Sequence, residues 1–119
     1  IALLMAALST RTGMLRGRYG VGIGDDGHAE LRLAHRRFGN LSEYAPMVLL
    51  LMLLMEMKDV PAIWLHVYGI VFVALRLLHP IILFDGFKVP MWKKIGRGVA
   101  AGGTALLMVI AAIALLVMR

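Results

Sequence analysis

An all-helical bundle embedded in a membrane is the fold class this sequence predicts, and three observations carry it. Of 119 residues, 61% are hydrophobic, the mean hydropathy is +0.82, and the apolar residues gather into long runs divided by basic loops. Soluble domains are about 45–50% apolar, so one small core cannot hide this much apolar surface. The net charge of +6 and the pI near 10.3 would suit a nucleic-acid binder, but the hydropathy does not, so no nucleic-acid partner is expected. Disorder is excluded by the same hydrophobicity. With no cysteine, the chain offers no disulfide, thiolate nucleophile or Cys-ligated metal.

Four spans follow, at about residues 1–15, 31–57, 60–84 and 96–118, forming one domain of up-down-up-down helices. A bilayer core needs about 20 apolar residues in helix. Gly98–Met118 has no charged residue, and Arg119 closes it. Val60–Phe84 is apolar except for His66, Arg76, His79 and two prolines. Tyr44–Met57 is too short by itself and reaches full length only if the polar stretch from about Leu31 is also helical. The run Ile1–Leu8 reads as the tail of a first span whose start lies outside this sequence. Gly20–Gly27 precedes no Lys-Ser/Thr pair and follows no strand, so it reads as a turn and not a phosphate loop.

The loops differ in charge. The first carries Arg11, Arg16 and Arg18, and the third carries Lys88, Lys93, Lys94 and Arg97. The second, around Glu56, Lys58 and Asp59, is nearly neutral. The positive-inside rule places the two basic loops in the cytoplasm and both termini outside. No two histidines among His28, His35, His66 and His79 have i, i+4 spacing, so no metal site is expected.

Charges that interrupt apolar helices are costly and mark function. Arg36, Asn40 and Glu43 fall within about 60° of helical arc, on one face. Arg76 and His79 share a face of the third helix, and Pro80 cannot donate to the Arg76 carbonyl. Pro46 does the same for Ser42. These two loosened turns predict a cavity between the second and third helices. Arg36–Glu43 or Glu43–Arg76 ion pairs would be a purely structural reading. The cations outnumber Glu43, however, and the surplus predicts a small, multiply charged, mainly anionic ligand entering from the cytoplasmic face.

The run Arg36-Arg37-Phe38-Gly39-Asn40-Leu41-Ser42-Glu43-Tyr44-Ala45-Pro46 resembles the signature of MAPEG, the membrane-associated proteins in eicosanoid and glutathione metabolism. Its Asn-x-Ser-Glu-Tyr-x-Pro form is similar to the leukotriene synthase branch. Arg76-Leu77-Leu78-His79 is similar to the prostaglandin E synthase branch. The resemblance runs from about residue 16 to the end, and the small bacterial members are nearest in character. It implies a homotrimer in a bacterial inner membrane, with glutathione held between protomers. It also implies a transferase of microsomal type, or a peroxidase, acting on a lipophilic electrophile or lipid peroxide drawn from the bilayer.

Carried over residue by residue, the resemblance assigns Arg36, Asn40, Glu43, Tyr44, Arg76, His79 and Arg16 to glutathione binding. Glu43 would receive the glutathione amino group, and Arg16 a carboxylate. Where the family places a catalytic arginine, this chain has Lys94, the first candidate for stabilising the thiolate, with Lys93 and Arg97 as alternatives. Lys provides a point charge without the planar fork of Arg. The competing readings are a non-enzymatic lipid-binding member of the same fold and a small multidrug antiporter coupled through Glu43.

Overall fold

The computed structural model describes residues 1–84, 86 and 89–118. Asp85, Lys88 and Arg119, which the sequence reading put in the third loop and at the end of the last span, lie outside them. Four helices make up the described chain: α1 (Ala2–Tyr19), α2 (Ala29–Met57), α3 (Ala62–Ile82) and α4 (Met91–Val117).

Each helix stops for a local reason. At the end of α1, Gly20 adopts φ 67°, and the Gly20 and Val21 N–H groups return to the Gly17 and Arg16 carbonyls. A left-handed glycine closing a helix in this way is favoured because it lacks a Cβ. Gly24 and Gly27 also take positive φ, so the Gly-rich stretch acts as the turn into α2. Pro61 and Pro90 stand immediately before α3 and α4, where no backbone donor is missed.

Three helices outrun the spans expected of them; α1 continues to Tyr19, so Arg16 and Arg18, expected in the first loop, stand on its last turn. At 29 residues α2 is about 43 Å long against a hydrocarbon core of about 30 Å. Its first turns, with Glu30, Arg32 and Arg36, therefore extend past the apolar layer. α4 begins at Met91, so Lys93, Lys94 and Arg97 stand on a helix; the sequence had placed them in a loop. By length and composition α2, α3 and α4 can each cross a membrane. α1, with Arg11, Arg16 and Arg18 in its second half, is not among them.

α2 touches the other three helices, and α3 packs along α4. The main core joins Leu41, Ala45 and Val48 of α2 to Tyr68 and Phe72 of α3 and Ala111 of α4, with Leu4, Met5 and Leu8 of α1 at its edge. A second cluster of Leu15, Val21, Leu31 and Ala34 seals the α1–α2 connection. α3 and α4 approach closely at Gly103, where an added Cβ would stand 3.0 Å from Leu75 Cδ1. Outward-facing surfaces carry Leu50, Leu53, Ile70, Leu106, Ile110 and Ile113, all exposed. A soluble monomer does not present so continuous an apolar surface, so these faces belong in lipid.

Phe84 and Gly86, beyond α3, line one cavity with Arg32 and Leu33 of α2. The connections at 20–28 and 83–90 therefore share one end of the bundle. Glu56 and His66 sit at the other, beside the short turn at 58–61.

Candidate functional site

The polar residues of α2 divide into two groups. Arg36 Nη1 donates to Glu43 Oε1 at 3.1 Å, and both side chains are more than half exposed. Asn40, which the sequence put on the same face, is buried. Its Oδ1 accepts from Arg76 Nη1 at 2.8 Å. The 60° between Asn40 and Glu43 spans the boundary between the packed side of α2 and its open side. The polar stripe that faces outward is instead Arg32, Arg36, Gly39 and Glu43.

Arg76 is the centre of the inner group, at 2% exposure. Besides Asn40 it donates through Nη2 to the Ala100 carbonyl of α4 at 2.7 Å, which also accepts from Thr104 Oγ1 at 2.9 Å. Its guanidinium stands 5.8 Å from the Tyr44 ring centroid, a cation–π distance. One side chain thus ties α2, α3 and α4 together. The partners it finds are neutral, and Arg76 Nε is buried without an acceptor. Of the two expected ion pairs, Arg36–Glu43 is present; Glu43–Arg76 is not among the contacts of the described residues, since Arg76 bonds Asn40 and the Ala100 carbonyl instead. His79, one turn on from Arg76, is buried, and four guanidiniums act on it electrostatically: Arg76, Arg97, Arg36 and Arg37.

The outer group surrounds a cavity of about 470 Å³, within the roughly 300–1,000 Å³ range of small-molecule sites. Arg32, His35, Arg36 and Glu43 line it from α2 and Arg97 from α4, with Phe84 and Gly86 closing one side. Its walls are the start of α2, the connection after α3 and the first turns of α4. The cavity expected between α2 and α3 beside Pro46 and Pro80 is therefore displaced toward α4. The reason is that at this end of the bundle Arg76, Asn40 and Tyr44 fill the space between α2 and α3 with their own contacts.

Not every candidate reaches this cavity. Arg97 does, with its guanidinium 5.5 Å from the Phe84 ring. Lys93 lies over the Trp92 ring at 5.4 Å and Lys94 is exposed; neither lines the cavity. Arg16 Nη1 donates to the Gly22 carbonyl at 2.8 Å and so braces the turn after α1. Arg32 reaches Asp25 at 3.4 Å while also lining the cavity. His35 and Phe84 are the residues that sequence reasoning missed. The i, i+4, i+8 spacing of His35, Gly39 and Glu43 was the available signal for His35; Phe84 gave none.

The connection before α2 has a polar latch of its own. Tyr19 donates to Glu30 Oε2 at 2.9 Å, Arg11 pairs with Glu30 Oε1 at 3.2 Å, and the Tyr19 ring stacks on His28 at 4.1 Å. The hydrogen bond to the Glu30 carboxylate pushes the Tyr19 hydroxyl pKa upward, because a phenolate could not donate it.

A family profile, that of the MAPEG family, matches residues 1–113. The chain belongs to the MAPEG family. It is 38% identical over 111 residues to the inner membrane protein YecN of Escherichia coli K12, covering 93% of this chain and 82% of the relative. YecN of the Escherichia coli strain CFT073 matches to the same extent. No solved structure matches the chain. The α2 residues Arg36, Asn40, Glu43 and Tyr44, on which the MAPEG resemblance rested, thus contribute to two adjoining layers: an exposed cation–carboxylate pair, and a buried arginine hub directly behind it.

Proposed function

We propose that this MAPEG protein binds glutathione in the cavity between α2 and α4 and activates its thiol for attack on a lipophilic electrophile or lipid peroxide. The observation that carries this reading is the donor set around the cavity: among the described residues, Arg32, Arg36 and Arg97 line it together with one carboxylate, Glu43. Glutathione brings two carboxylates, one ammonium and one thiol. Arginines take the carboxylates through charge-assisted, bidentate bonds, and Glu43 takes the ammonium.

The Arg36–Glu43 pair supports the exchange. An exposed ion pair is worth only about 0–1 kcal/mol, so parting it for a ligand that satisfies both groups costs little. A ligand carboxylate takes over Arg36 while its ammonium takes over Glu43. Arg97, fixed against Phe84 at the α4 side, is the cation best placed to favour a thiolate over a thiol. Lys94 was the first candidate from sequence, but it does not line this cavity. The thiolate then attacks the electrophile, which arrives from lipid along the apolar faces of the helices.

In this reading the protein sits in a bacterial inner membrane, as the name of its YecN relatives states for them. The cavity opens to the cytoplasm, and the assembly is a homotrimer. Isothermal titration of the purified protein with glutathione tests the proposal. Binding at micromolar to millimolar concentration, weakened in Arg36→Ala and Glu43→Ala, is expected; no binding at millimolar glutathione rejects it.

A further inference from the structure

A second concavity lies at the opposite end of the bundle, in the groove between the last turns of α2 and the first three-quarters of α3. It has a volume of about 600 Å³ and runs from Ala62 to Leu77, about 22 Å of helix. Its walls are apolar along nearly their whole length, with Met52, Leu65, Ile70, Val73 and Leu77 among them. Gly69 forms part of the floor, where an added Cβ would lie 3.4 Å from Met52 Cε. Two polar side chains line it, Glu56 and His66, and both stand beside the turn at 58–61.

The chemistry of that end is specific. The Glu56 carboxylate has no ion-pair or hydrogen-bond partner among the described residues. It also stands in the last turn of α2 with no basic residue in that turn, at the helix end that favours cations. His66 Nδ1 lies 2.7 Å from the Ala62 carbonyl. A carbonyl can only accept, so Nδ1 carries the hydrogen, and in the tautomer with its hydrogen on Nδ1 the other nitrogen, Nε2, is an acceptor. The mouth therefore offers an anion and a second acceptor above a long apolar trough. A protonated amine with hydrogens to donate fits both; a carboxylate or phosphate alone fits neither.

We infer that the α2–α3 groove is a binding site for a long-chain amphiphile with a protonated amine head, held by Glu56 and His66 with its chain along Leu65 to Leu77. The site is separate from the cavity between α2 and α4 and does not depend on glutathione binding there. It selects by head group, with the chain supplying affinity and the Glu56 carboxylate supplying preference.

The test uses the full chain in phosphatidylcholine vesicles with hexadecylamine carrying a photoactivatable diazirine near its chain end. Labelled peptides are mapped by mass spectrometry, with hexadecylamine, hexadecanol and hexadecanoate as competitors. Labelling is expected within residues 65–77, with the amine competing about tenfold better than alcohol or acid. Glu56→Gln should erase that preference while leaving chain labelling in place. Gly69→Leu, which fills the trough, should reduce labelling from every probe, with helicity by circular dichroism as the folding control. Equal competition by amine and acid overturns the inference, as does a preference that survives Glu56→Gln. Cross-links between two copies of the chain across this groove, in place of ligand labelling, also overturn it.

Discussion

Arg76 reaches from α3 to the side-chain oxygen of Asn40 on α2 at 2.8 Å, and in doing so removes Asn40 from the face that carries Arg36 and Glu43. This bond makes the polar cluster of α2 two structures, an inner tie and an outer site. Substitutions on the two sides should therefore differ in kind. Asn40→Ala strips an acceptor from a buried cation and should destabilise the protein by about 1–3 kcal/mol. Arg36→Ala opens only an exposed pair and should change stability by less than about 1 kcal/mol. Thermal unfolding of both variants in the same detergent measures the contrast.

Gly103 and Gly102 provide a control on the helix packing that supports the site. A side chain at Gly103 meets Leu75, whereas one at Gly102 meets nothing within 4 Å. Gly103→Val should lower stability by about 1–3 kcal/mol through overpacking between α3 and α4. Gly102→Ala should be neutral or stabilising by up to about 1 kcal/mol, since alanine is the better helix former. The same unfolding assay distinguishes them.

The fold was legible because apolar run length reports directly on membrane helices, as in Gly98–Met118. Helix ends were less so: α4 starts five residues before the expected span because amphipathic turns carrying Lys93, Lys94 and Arg97 continue out of the apolar layer. Within the site, periodicity placed Arg36, Asn40 and Glu43 on one arc. It could not say that the arc straddles a packing boundary, since that depends on where α3 and α4 lie. The partners of Arg76, a neutral amide and a backbone carbonyl, leave no charge pattern in the sequence. Phe84 joins the cavity through the path of the chain after α3, which no local pattern encodes.

Tyr19 gives the protein a pH dependence outside the spans. Its bond to Glu30 raises the hydroxyl pKa above the ordinary value of 10.0. The folded state then holds the proton more tightly than the unfolded state. The resulting stabilisation is complete below pH 10 and is lost as pH rises through the folded-state pKa. Stability should therefore fall in the alkaline range, and Tyr19→Phe should remove that slope. Unfolding midpoints between pH 8 and 11, compared for the two proteins, check the sign.

Arg97 and Lys94 separate by place. Only Arg97 lines the cavity, so Arg97→Ala should slow glutathione conjugation to a small aromatic electrophile by roughly 100-fold and raise the pKa of bound thiol. Lys94→Ala should leave the rate within about threefold, as expected for an exposed charge. Rates and the ultraviolet absorbance of the thiolate across a pH series measure both effects.

Titration of the purified protein with glutathione tests the central claim most directly. Wild type should bind, with affinity falling as salt is raised, and Arg36→Ala and Glu43→Ala should each weaken binding roughly 10- to 100-fold while remaining as stable as wild type. Wild-type protein that fails to bind glutathione at millimolar concentration, or binding that survives both substitutions unchanged, would contradict a glutathione site built on Arg36 and Glu43.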